Sequence, residues 1–218
     1  MPKGNVPSDV AAIRAALVVL LDQKDAQGRV VGDAKYGVYA FYDYDGEPIY
    51  VGQTTERLRT RIRRHLTNQR TDAVAMNVLD PFEVADVEMW PFFDVKTADV
   101  RATLGAAEFT VYQQVLKASK LGAVLNEKDI PVVAKIALPK SMRGRIVPDP
   151  FYKERQHSDV RIARRAATIA ALARVISERS VAAGLRRTLL TQARRLEKLA
   201  ATRFNETSGD VDEDDDNE

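Results

Sequence analysis

Hydrophobic positions along the chain change period several times, and each change marks an element. Residues 9–23, DVAAIRAALVVLLDQ, place Ile13, Leu17, Leu20 and Leu21 on one helical face, with Ser8 suited to cap the first turn. After the polar loop KDAQGRVVGDAK the pattern becomes that of strands. Gly37–Tyr42 and Pro48–Gly52 flank DYDGE, whose Asp45-Gly46 pair signals a turn. Residues 55–68 return to helix, with Leu58, Ile62 and Leu66 at i, i+4 and i+8 and Thr54 or Thr55 placed to cap them. Residues 69–82 are ambiguous; a short helix ending at DPF is one reading. EVADVEMWPFFDV, residues 83–95, is a third strand, with Pro91 marking a bend or an edge. A long helix is expected over 97–119, a loop over 120–131 and a further short strand over 132–138. Residues 139–156 hold four prolines or glycines and read as a linker. From 157 to 204 the pattern is helical again, punctuated at Gly184. Leu185, Leu189, Leu196 and Leu199 share one side, and Arg186, Arg187, Arg194, Arg195 and Lys198 fill the rest. From Asn205 onward the chain is charged and nearly without apolar residues, which predicts a disordered tail.

Composition supports a folded core, with 45% hydrophobic and 29% charged residues among 218. The chain has no cysteine, so disulfides, thiolate metal sites and cysteine nucleophiles are excluded. No apolar run approaches the roughly 18–20 residues of a membrane span, and MPKGNVPSDV lacks the apolar core of a signal peptide. A soluble cytoplasmic protein is expected. The net charge of +2 hides an asymmetry, because the final GDVDEDDDNE carries seven acids. Without it, 33 bases face 24 acids, and residues 140–203 alone hold 16 bases against 5 acids. A basic body with an acidic end points toward a polyanionic partner, unless the arginines only solvate helix faces.

Candidate chemistry gathers around the tyrosine-rich hairpin. Between Tyr36 and Gln53 stand five tyrosines, and Tyr39 and Tyr50 can meet across an antiparallel ladder, as a packed pair or as reactive phenols. Gly52 lets backbone or substrate come close. Arg61 and His65, four apart on the next helix, share a face, and an arginine there can hold a phosphate with two hydrogen bonds. Arg61 stands among Arg57, Arg59, Arg63 and Arg64, so the run is either phosphate-facing or solvated. His65 also suits the negative end of a helix dipole. Glu108, among Leu104, Val111 and Leu116, is either a solvated acid or a positioned metal ligand, with Glu127 as a substitute. Asn126 is a turn residue or part of a site, and His157 an exposed residue before a helix.

The order Gly37-Val38-Tyr39, ten residues, Tyr50-Val51-Gly52, then Arg61, His65, Glu108 and Asn126, resembles the GIY-YIG nuclease superfamily over residues 35–130. Valine replaces isoleucine in both tripeptides. The resemblance implies an α+β fold, a three-stranded antiparallel sheet flanked by helices, and metal-dependent cleavage of a DNA phosphodiester with Mg²⁺ or Mn²⁺. It implies Glu108 as the metal ligand and Tyr39 as the general base or its relay, with Tyr50 sharing that network. Arg61 would hold the scissile phosphate, His65 would assist, and Asn126 would orient the site. Tyr36, Tyr42 and Tyr44 are then packing or turn residues.

The expected organisation is an N-terminal helix and loop over 1–34, the nuclease domain over 35–138, the linker, a basic helical extension over 157–204 and the acidic tail over 205–218. DNA contacts are expected from Arg57, Arg59, Arg64, Arg161, Arg164, Arg165, Arg186, Arg187, Arg194 and Arg195. The C-terminal helices could instead mediate a homodimer or a larger complex, and the tail could fold over basic surface as a DNA mimic. The expected function is an endonuclease of restriction-like, mobile-element or anti-phage type. The alternative is a non-catalytic DNA-binding module or a subunit of a defence or replication assembly.

Overall fold

The runs rich in tyrosine, valine and phenylalanine pair into one antiparallel sheet of four strands. They are β1 (Tyr36–Tyr42), β2 (Pro48–Thr54), β3 (Asp86–Phe92) and β4 (Met142–Arg145), in the order β2-β1-β3-β4. The computed structural model describes residues 6–66, 79–126, 129–181 and 183–208, apart from the Thr97 side chain. Three strands lie where the alternation puts them. The fourth corrects two expectations. Residues 132–138 form no strand; the segment runs along the sheet-covering helix, where the Ile136 amide donates to the Thr110 hydroxyl at 3.1 Å. Residues 142–145, expected within a linker, pair with β3 from Asp86↔Arg145 to Met89↔Met142. MRGR shows no apolar alternation because its partner on one face is a helix side chain: a Cβ at Gly144 would stand 2.5 Å from Leu20 Cδ1. Since β4 stops at Met89, Pro91 stands where β3 has an open edge, the position in a sheet that tolerates a residue without an N–H.

Alternate residues of the strands face opposite layers. Tyr39, Phe41, Ile49, Val87 and Met89 face one cluster with Leu17, Leu20 and Leu21 of α1 (Ser8–Leu21) and with Leu58 and Ile62 of α2 (Leu58–Leu66). Val38, Ala40, Val51, Trp90 and Phe92 face the other, under Leu104, Ala107, Val111 and Val115 of α3 (Val100–Ala118). Gly37 lets α2 approach the sheet, because a Cβ there would lie 2.7 Å from Leu58 Cδ2. α1 begins at Ser8 with Pro7 at the N-cap, so Ser8 is not the cap. Residues 55–57 precede α2 in a turn where Thr54 Oγ1 accepts from the Glu56 amide. The ambiguous stretch 69–82 lies outside the described residues up to 78; Pro81–Glu83 is a single 3-10 turn capped by Asp80.

The C-terminal region forms α4 (Asp149–Gln156), inside the expected linker, then α5 (Ser158–Glu178) and α6 (Ala183–Ser208). The helical pattern breaks after Glu178, not at Gly184, which lies in the first turn of α6. α6 continues past Asn205 to Ser208; the acidic residues 209–218, and Glu127, lie outside the described residues. Leu172 and Leu185 join α5 to α6 in a small apolar cluster. Among the described residues, no helix is long and apolar enough to cross a membrane.

Candidate active site

Register places the two tripeptides face to face: Tyr39 pairs with Gly52, and Phe41 with Tyr50. The phenol of Tyr39 lies over Gly52 so closely that a Cβ there would stand 2.6 Å from its oxygen. The glycine is therefore the floor on which the tyrosine rests. α2 supplies the opposite wall. Leu58 and Ile62 anchor it in the core, and one turn of helix sets Arg61 and His65 on the adjacent face. His65 Nε2 is 3.0 Å from the Tyr39 oxygen, and Arg61 Nε donates to that same oxygen at 3.2 Å. Arg61 can only donate, whereas the Tyr39 hydroxyl and His65 Nε2 exchange the donor and acceptor roles between them according to the histidine tautomer. Tyr50 closes the cluster, its ring 6.2 Å from Tyr39 and 5.4 Å from His65. Burial alone would lower the Arg61 pKa, but the Tyr39 phenol, Tyr50 and Glu56 outweigh it and hold the guanidinium more firmly charged.

Glu108 arrives from α3, on the other side of the sheet, with Gln53 as the polar neighbour of its carboxyl. Burial pushes its pKa up to about 7, against the pull of Gln53 and of the Arg61 charge. Arg61 and Glu108 thus act on each other around β2, the edge strand, although they descend from opposite layers. Among the described residues no cluster of three or more His, Asp or Glu could hold a metal. A single desolvated carboxylate suits a dication that keeps water and phosphate oxygens as its other ligands. Asn126 brackets Val51: its amide nitrogen donates to the Val51 carbonyl at 2.8 Å and its oxygen accepts from the Val51 amide at 3.2 Å. A side chain thereby completes the outer edge of β2 between Tyr50 and Gly52. Gln53 is the residue that sequence reasoning missed; its only signal is that it follows Tyr50-Val51-Gly52.

The other tyrosines have packing partners. Tyr42 donates to Glu88 at 2.7 Å, and Tyr44 to the Phe82 carbonyl at 3.1 Å; burial pushes the Tyr44 phenol up to about 12. Exposed His157 caps α5, its Nδ1 accepting from the Asp159 amide at 3.3 Å. The arginines expected on DNA divide into groups. Arg57, Arg186 and Arg194 are exposed, and Arg187, also exposed, pairs with Asp129. Arg59 pairs with Asp22 and Asp33, Arg64 with Glu56, and Arg164 lies over the Phe82 ring. Arg161, Arg165 and Arg195 correct the expectation: all three are buried and directed at Asp43, because a guanidinium facing the core needs a carboxylate beside it.

Residues 35–97 match the family model of the GIY-YIG catalytic domain. No curated protein and no solved structure is similar to the chain at the level that marks a relative. The matched span contains both tripeptides, Arg61 and His65; Glu108 and Asn126 lie beyond it. With the tripeptides facing each other across one hairpin and Arg61 and His65 on the helix that follows, residues 35–97 are a GIY-YIG catalytic domain, which implies nuclease-type function.

Proposed function

We propose that the protein is a metal-dependent DNA endonuclease that hydrolyses phosphodiester bonds. The observation that carries this reading is the Tyr39 oxygen, held between the Arg61 and His65 nitrogens at 3.2 and 3.0 Å. A phenol is an ordinary base only near pH 10. Here its proton has an acceptor in His65 Nε2, and the phenolate so formed has a donor in Arg61. The phenolate then takes the proton of the attacking water. In the free protein Tyr39 is fully covered. Arg61 meets the phenol through Nε, so its terminal nitrogens can donate to a phosphate while Nε stays on the Tyr39 oxygen. Arg61 then stabilises the charge that grows on the phosphate, and Asn126 keeps Tyr50 and Gly52 in register around the water. Glu108 would hold a divalent metal, Mg²⁺ or Mn²⁺, which when bound supplies positive charge to a non-bridging phosphate oxygen. Exposed Arg57, Arg186 and Arg194 support a polyanionic substrate, in a restriction-like, mobile-element or anti-phage setting.

The test is cleavage of supercoiled plasmid and of single strands with Mg²⁺, Mn²⁺ or EDTA, wild type beside Glu108→Ala. Metal-dependent cutting that vanishes in the variant supports the assignment. Cutting that survives the substitution removes Glu108 from the site. DNA bound but left intact with either metal favours a binding module instead.

A further inference from the structure

The hairpin that carries Tyr39 and Tyr50 turns at Asp43–Glu47, and side chains from two helices and the end of a third converge on that turn. Asp43 is buried, and its two carboxylate oxygens have separate roles. Oδ1 accepts the Asp45 and Glu47 amides at 2.9 and 3.0 Å and so shapes the turn from within. Oδ2 accepts from Arg165 at 2.9 Å, Arg195 at 2.6 Å and Arg161 at 3.3 Å, three residues from two helices more than a hundred positions away. Arg195 also donates to the Pro48 carbonyl at 3.1 Å, the first residue of β2, and Arg165 to the Arg195 carbonyl at 2.9 Å. Arg161 grips Asp45 at 2.9 and 2.7 Å, and Arg165 grips Glu83 at 3.1 Å. At the far side of the turn, Glu47 accepts from the Ser119 hydroxyl and from the Lys120 and Leu121 amides, at the end of α3. One five-residue turn therefore joins the phenols of the hairpin, the helix that carries Glu108 and the whole C-terminal helix pair.

We propose that α5 and α6 are part of the catalytic unit, and that Asp43 is the positioning residue through which they set the hairpin against α3. Burying three guanidiniums on one carboxylate adds little stability over an apolar core, whereas planar forks on fixed oxygens impose one geometry. The geometry they impose is the spacing of Tyr39 and Tyr50 from Glu108, and displacement on the order of 1 Å at a reacting centre costs about a hundred-fold in rate. The C-terminal arginines nearest the core thus act on catalysis from inside, not by gripping DNA. This inference rests on the nuclease reading above.

Two measurements on the full chain test it. Asp43→Asn and Arg195→Met are compared with wild type for single-turnover cleavage at saturating DNA and for DNA affinity in EDTA, at a temperature where circular dichroism shows each variant folded. The expected result is a fall of at least about ten-fold in the cleavage rate with affinity unchanged within about two-fold, and partial recovery in Arg195→Lys. Unchanged cleavage overturns the proposal. So does a fall explained wholly by weaker DNA binding, which would return these arginines to the DNA surface. Amide hydrogen exchange of the wild type needs no variant: amides of residues 43–51 and of the α5–α6 segments around Arg161 and Arg195 should open together. Helices that exchange far faster than the hairpin overturn the coupling. Coupled exchange in a wild type that cuts no DNA would sink the nuclease reading and leave the clamp standing.

Discussion

At the scale of single residues, the site is governed by what each side chain is denied. Tyr39 is denied water, Glu108 is denied full solvation, and Gly52 is denied a side chain. In Gly52→Ala the new methyl meets both tyrosine rings, at 2.6 Å from the Tyr39 oxygen and 2.8 Å from Tyr50 Cε1. The expected cost is about 1–3 kcal/mol, the range for overpacking a filled core, with cleavage falling more steeply than stability. A urea unfolding midpoint and a cleavage rate measured on the same sample separate the two. Glu108 makes a pH prediction for the metal-free protein. Its folded pKa is raised to about 7, so the folded state disfavours the ionised form. Folding stability is therefore greatest below the usual glutamate range and falls as pH rises through about 7. In EDTA, Glu108→Gln should flatten the decline of the urea midpoint between pH 5 and pH 8; parallel curves for the two proteins would count against the shift.

At the scale of elements, β2 illustrates how an edge strand is completed without another strand. The Leu125 amide donates to the Ile49 carbonyl at 2.7 Å, and Asn126 supplies both a donor and an acceptor to Val51. Asn126→Ala leaves both Val51 groups without their partner and should cost about 1–3 kcal/mol. Asn126→Asp keeps the acceptor but sets a carboxylate oxygen against the Val51 carbonyl, so at neutral pH its stability should be no higher than that of Asn126→Ala. Thermal unfolding of the three proteins checks that order. α2 is placed by Gly37 under Leu58, so the glycine of the first tripeptide serves the helix while the glycine of the second serves the tyrosine.

At the scale of the whole molecule, basic charge is divided between exposed helix faces and a buried cluster around Asp43. Arg186 and Arg194 are exposed on α6, whereas Arg161, Arg165 and Arg195 are buried. Replacing Arg186 and Arg194 with alanine should leave folding nearly unchanged and flatten the salt dependence of DNA binding by about 1 in slope for each phosphate no longer neutralised. Affinity measured by anisotropy from low to moderate salt reads this directly. Single truncations of the buried arginines should instead lower stability by about 1–3 kcal/mol, because each removes hydrogen bonds from buried polar groups while the other two guanidiniums stay on Asp43. Equal effects of the two sets on folding would remove the division.

Local pattern determined most of the elements and the order of the motif. Period-two runs with an Asp-Gly turn specify the hairpin, apolar residues three and four apart specify α2 and α3, and the two tripeptides mark the family. These features are legible because they depend on neighbours in sequence. What needed the tertiary structure involves partners far apart in the chain. MRGR carries no strand signature, and only β3 and Leu20 make it β4. Gln53 is unremarkable until Glu108 reaches it across the edge of the sheet. Arginines of α5 and α6 have the same chemistry whether they face DNA or a buried aspartate. Charge count alone cannot separate these cases, because the choice rests on which carboxylates the folded backbone brings within hydrogen-bond reach, and Asp43 is brought there by the hairpin turn.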